Sequence, residues 1–120
     1  MKYMLLIYAA ETGWGDTPRE EIDAHMAEWF AFSDELERSG KLIAGDALQP
    51  TATATTVRGA DRRTTVVDGP FAETKEALGG YYLIDVEDLD EAIAWAGKLP
   101  VFAFEGAVEV RPLMEFNRPA

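Results

Sequence analysis

The chain contains no cysteine, a single histidine and only two serines. The first absence excludes disulfides, thiolate nucleophiles and zinc–thiolate centres. With one imidazole, any metal would need carboxylates for its other ligands. Neither an EF-hand loop nor a His-Glu-x-x-His spacing is present, so no metal is expected. Ser33 and Ser39 both fall in one helical stretch, outside any Gly-x-Ser-x-Gly setting. Gly13-Trp14-Gly15 lacks the further glycine and the lysine of a phosphate loop, and no cofactor is expected. Basic residues are scarce: 11 stand against 22 acidic ones, for a net charge of −11. That disfavours contact with a phosphate backbone, so no nucleic-acid partner is expected, although a basic protein partner stays open. No apolar run nears the roughly 20 residues that span a bilayer. The opening Met1–Tyr8 is too short for a signal peptide and leads straight into polar sequence, so a cytoplasmic location is expected.

What is present suits one ordinary globular domain: 120 residues, 48% of them hydrophobic and 28% charged. The expected domain spans 1–116, with a loose tail over 117–120. Residues 2–9 alternate, yet Tyr3, Leu5, Ile7 and Ala9 on one face and Met4, Leu6 and Tyr8 on the other are all apolar, as in a strand covered on both sides. Thr17, Pro18 and Glu20 read as a capped helix start. Ile22, Met26, Trp29, Ser33 and Leu36 then recur at helical spacing, and Gly40 ends a helix over about 18–39. A strand follows over 42–48. Residues 54–58 and 63–68 form a β-hairpin, and Asp68-Gly69-Pro70 a turn. Tyr81–Val86 is a strand, and Asp88 with Glu91 opens a short helix. Val108–Arg111 is the last strand.

This order, β-α-β, a hairpin, then β-α-β, specifies an α+β fold: a ferredoxin-like sandwich with an added hairpin. Its helices cover one sheet face. The other is apolar too, and with no spare element to cover it, a homodimer packed sheet against sheet is expected.

The segment Asp68-Gly69-Pro70-Phe71-Ala72-Glu73-Thr74-Lys75-Glu76, followed by Gly79-Gly80-Tyr81-Tyr82-Leu83-Ile84, resembles the signature of the DGPF-domain proteins of the YCII-related group. Lys2–Tyr8, Gly45–Pro50 and Val108–Pro112 resemble the same family. The resemblance implies the dimeric α+β barrel fold and little about chemistry. Members are often described as enzymes because a histidine and an aspartate share a cleft, and some are associated with extracytoplasmic-function sigma factors. A sigma factor is thus a possible partner.

His25 lies in a helical row with Trp29, Phe32 and Leu36, at the edge of the apolar stripe, where an imidazole can face a cleft or simply bond a carbonyl. Strand alternation puts Asp46 on one face with Leu42, Ala44 and Leu48. A carboxylate there needs a partner unless the strand end bends into water. His25 suits it: an aspartate on one ring nitrogen would leave the other free as a base. The family's histidine–aspartate pair carries over to His25 directly and to Asp46 or Asp34 at the aspartate. Asp68–Phe71 reads as a structural turn, with Phe71 plugging the core. Tyr8, Trp29, Phe71, Glu73, Lys75 and Tyr82 are the expected substrate-binding lining. Two functions follow. One is a cofactor-independent lyase or isomerase using a His25–Asp46 acid/base dyad on an unidentified small molecule. The other is a non-catalytic ligand-binding or regulatory module.

Overall fold

A computed structural model describes residues 1–119, with the side chain of Phe104 left aside. The strands are β1 (Lys2–Ala9), β2 (Leu42–Ala47), β3 (Thr55–Ala60), β4 (Arg63–Asp68), β5 (Ala77–Asp85) and β6 (Ala107–Pro112). The helices are α1 (Arg19–Arg38) and α2 (Leu89–Ala96), with short 3-10 turns at Thr51–Thr53 and Pro100–Phe104. Four strands form an antiparallel sheet in the order β2-β5-β1-β6, and β3 and β4 pair only with each other. This is the ferredoxin-like α+β arrangement the sequence pattern specifies, with the hairpin inserted between β2 and β5.

The core follows from the alternation of β1. Tyr3, Leu5 and Ile7 are buried, and Ile84 joins them from β5. Phe32 and Leu36 of α1 and Ala92 and Ala96 of α2 pack onto that same face. Met4, Leu6, Tyr8, Tyr81 and Leu83 point the other way and stay half-buried, because both helices lie on the first face.

The two helix starts differ. At α2 the Asp88 carboxylate accepts the Glu91 backbone N–H, and the Glu91 carboxylate reaches one residue further back to accept the Glu87 N–H, a variant of the capping box. The Glu87 N–H, and then the Lys41 ammonium, hold the Glu91 carboxyl below its ordinary range. At α1 the expected Thr17 cap does not form. The helix starts one residue later, so Pro18, which has no side-chain acceptor, occupies the cap position, and the Thr17 N–H bonds the Trp14 carbonyl in the preceding turn. The strand expected from Tyr81 begins earlier, at Ala77, and takes Gly79-Gly80 into the sheet. Of the tail expected to be loose, Asn117–Pro119 are exposed and without regular structure, and Ala120 lies outside the described residues. No described helix is long and apolar enough to cross a membrane.

Candidate functional site

β2 decides where Asp46 points. Leu42 pairs with Ile84, but Ala44 pairs with Leu83, so Ile43 is an extra residue in the ladder. Such a bulge shifts the alternation by one, and every later side chain changes face. Leu42 therefore packs on the core beneath the helices, whereas Ala44 and Asp46 project from the opposite, open face. Gly45 falls back on the helix side, where a Cβ would sit 2.6 Å from Tyr82 Cδ1, so only glycine lets that ring lie across β2.

Asp46 stands opposite Tyr81 and accepts its phenol proton at 3.0 Å. Leu6 and Glu109 continue the same row across the sheet. His25 is carried by α1, on the other side. The expected His25–Asp46 contact is therefore not formed within the chain, and the cause is the single-residue bulge. Asp34 is exposed on α1.

The hydrogen bond from Tyr81 stabilises its neutral form, and the Asp46 charge opposes a phenolate, so the Tyr81 phenol is raised above its ordinary value. A raised pKa in the folded state contributes stability below the unfolded value, about 10 for tyrosine, and that contribution is lost as pH rises through the folded value. Asp46→Asn is expected to move one tyrosine's ionisation to lower pH in a spectrophotometric titration. An unchanged titration curve would mean that the Asp46–Tyr81 bond does not persist in solution.

His25 sits in an aromatic corner. Its side chain is 13% exposed, edge-on to Trp14 at 5.8 Å and to Trp29 at 6.1 Å between ring centroids. The Trp29 indole N–H donates to His25 Nε2 at 2.9 Å. An indole can only donate, so Nε2 carries the lone pair and the ring proton resides on Nδ1. Nδ1 is 3.7 Å from a Glu28 carboxylate oxygen. The nitrogen that would act as a base is thus already occupied by Trp29. A proton could reach Nε2 only after that bond is released.

The remaining expected lining is dispersed over several parts of the fold. Tyr82 belongs to the core side: its ring packs edge-on to Phe32 at 5.2 Å, and its hydroxyl shares a hydrogen bond with Ser33 at 2.5 Å. Tyr8 lies half-buried on the open face of β1. Phe71 does not plug the core. It is 74% exposed and lies under the Arg58 guanidinium, 5.0 Å from carbon to ring centroid, because residues 69–75 leave the sheet together with the hairpin.

Glu73 and Lys75 line a cleft of about 470 Å³ with Glu11, Thr51, Gly69 and Pro70. Glu11 fastens one wall, accepting the Thr51 backbone N–H at 3.0 Å and its hydroxyl at 2.8 Å. The other wall is the turn after β4. There the Gly69 N–H bonds the Ala54 carbonyl, and the Gly69 carbonyl accepts from the Thr56 hydroxyl. Gly69 holds this shape at φ +109°, a conformation that side chains rarely tolerate. Gly69→Ala is expected to cost about 1–3 kcal/mol, against at most about 1 kcal/mol for Ala72→Gly. Equal denaturation midpoints for the two variants would show that this turn is not fixed.

Sequence reasoning misses Glu11, Thr51 and Glu28, whereas Trp14 and Tyr81 are within its reach as aromatics that could line a pocket or serve packing. Glu28 and Trp29, at i+3 and i+4 from His25, were within reach of helix spacing. Glu11 and Thr51 meet only through the fold.

Two comparisons bear on this arrangement. The model of the YCII-related domain matches residues 1–117. The chain belongs to the YCII-related family. An uncharacterised protein of Rhizobium meliloti (strain 1021) is 41% identical over 114 residues, which cover 94% of this chain and 92% of that protein. The YCII-related assignment thus spans both halves of the sandwich, the hairpin and the cleft.

Proposed function

We propose that this YCII-related chain is a homodimeric small-molecule-binding protein whose ligand occupies the cleft between Glu11, Thr51 and the Gly69–Lys75 segment. The observation that carries this reading is the cleft itself. Its volume of about 470 Å³ lies in the range of small-molecule sites, roughly 300–1,000 Å³. The reading is further supported by a carboxylate and an ammonium, Glu73 and Lys75, among the lining residues, two apart in the chain and following the Gly69 turn. That chemistry suits a small polar organic molecule. The homodimer is supported by the open face of the sheet, where the half-buried Met4, Leu6, Tyr8 and Leu83 lie beside Asp46, Glu109 and Arg111 without a helix above them. A cytoplasmic location belongs to the same reading. A sigma-factor partner draws only on the family resemblance and on a net charge of −11, which would favour a basic segment.

A second reading keeps His25 as a general acid or base in a lyase or isomerase. The observation favouring it is the nearly buried imidazole with Glu28 3.7 Å from Nδ1, a carboxylate placed to stabilise a protonated ring. Asp46 takes no part in this reading, since it bonds Tyr81 on the far face. If it holds, His25→Ala abolishes turnover of whatever substrate is found.

Thermal-shift screening against a metabolite library tests the first reading, because a ligand of the folded state raises apparent stability. A hit whose shift disappears in the Glu73→Gln, Lys75→Ala double variant and persists in His25→Ala is the expected result. A shift that needs His25 and ignores the double variant would transfer the site to the aromatic corner.

A further inference from the structure

The β3–β4 hairpin is a separate two-stranded sheet that projects from the body. Along Thr55–Ala60 and Arg63–Asp68 only Thr56 is even partly buried. A two-stranded hairpin standing alone is marginal in water. One side has company: Thr56 bonds Gly69, and Arg58 covers Phe71. The other carries the directly paired Val57 and Val66, which are 62% and 67% exposed. Thr55, Gly59 and Thr64, with the Asp68 carboxylate at the end nearest the body, flank them on the same side, leaving the two valines accessible to a flat partner. The projection shows in the dimensions. The radius of gyration is 16.9 Å, where a compact chain of 120 residues has about 14 Å.

We infer that this hairpin is an arm that docks on a second copy of the chain, its Val57–Val66 face packed against the partner's body. The inference deepens the homodimer reading above and rests on it. Two features identify the occupant. The first is charge. The arm holds Arg58, Arg62 and Arg63, three of the 11 basic residues, but only Asp61 and Asp68 of the 22 acidic ones. A basic arm on a strongly acidic body is self-complementary between copies. The second is area. Four strands about 4.8 Å apart and some six residues long present a face of roughly 400 Å². A stable interface needs about 800 Å² from each partner, so the sheet face alone falls short and the arm is the apolar surface that makes up the difference.

The tip is consistent with this role. Asp61 and Arg62 sit at φ 52° and 63°, the two-residue turn of a primed hairpin. Aspartate tolerates that region, whereas arginine is strained there. Glycine at 62 would relieve the strain, so retaining arginine makes sense where its charge has a partner.

Sedimentation over a concentration series, with wild type, Val57→Asp/Val66→Asp, Val57→Thr/Val66→Thr and Arg62→Gly, tests the arm. Both valines are exposed within the chain, so the threonine pair retains strand propensity and the fold, checked by circular dichroism. The expected result is a dimer dissociation constant raised about 100-fold or more by the aspartate pair and about 10-fold by the threonine pair. Arg62→Gly is expected to weaken the dimer, and less so at high salt, while leaving the fold at least as stable. A wild-type dimer that all three variants match would overturn the arm and leave the homodimer standing, with the hairpin free for another occupant or none. A wild-type monomer would overturn the homodimer and the arm together.

Discussion

Leu6→Glu is expected to convert the protein from a dimer to a folded monomer. Leu6 lies at the centre of the open face, between Tyr81 on β5 and Glu109 on β6. In an isolated chain its side chain has no helix above it, so a carboxylate there reaches water and the core does not change. In a dimer packed through this face, two unpaired carboxylates would be buried at the centre of the interface. Unpaired buried charge costs several kcal/mol, enough to abolish association at micromolar concentration. Light scattering should report the monomer mass of 13.2 kDa for the variant and twice that for wild type. A variant that remains dimeric would place the interface elsewhere.

Its neighbour tests the opposite face. Leu5→Ala is expected to lose about 2–5 kcal/mol of folding stability, a large part of the typical 5–15 kcal/mol total. Leu5 is fully buried, at 0% exposure, on the central strand β1 and among Phe32, Leu36 and Ile84. Truncation leaves a cavity that two helices and two strands would have to close together. Urea unfolding at fixed protein concentration measures the loss. A midpoint near that of wild type would mean that this face is not the core. Adjacent residues of one strand thus separate folding from assembly, since their side chains point to opposite faces.

Both expectations rest on features legible in the sequence. The alternation of Tyr3, Leu5 and Ile7 against Met4, Leu6 and Tyr8 located β1 and its two faces, and the structure buries the first set against the helices. Asp88 and Glu91 mark the start of α2, and there Asp88 accepts the Glu91 N–H while Glu91 accepts the Glu87 N–H. The failures have local physical causes. Counting in twos from Leu42 puts Asp46 on the core face, and one extra residue at Ile43 makes that count wrong for everything after it. The apolar run Leu42-Ile43-Ala44 carries no mark of which residue is extra. The expectation that Phe71 plugs the core fails because its segment follows the hairpin outward and the ring stacks beneath Arg58. His25 lies at the edge of the helix's apolar stripe, beside Trp29. Its engagement by Trp29 depends on a side-chain rotation that spacing allows without requiring.

Whether the cleft or the histidine corner holds the ligand can be read from one amide spectrum. With any compound that stabilises the protein, the perturbed ¹⁵N signals should be those of Thr51, Gly69 and residues 73–75, while the indole N–H signals of Trp14 and Trp29 stay in place. Movement of those two indole signals, with the Gly69 and Thr51 amides unmoved, would contradict the cleft and put the ligand beside His25.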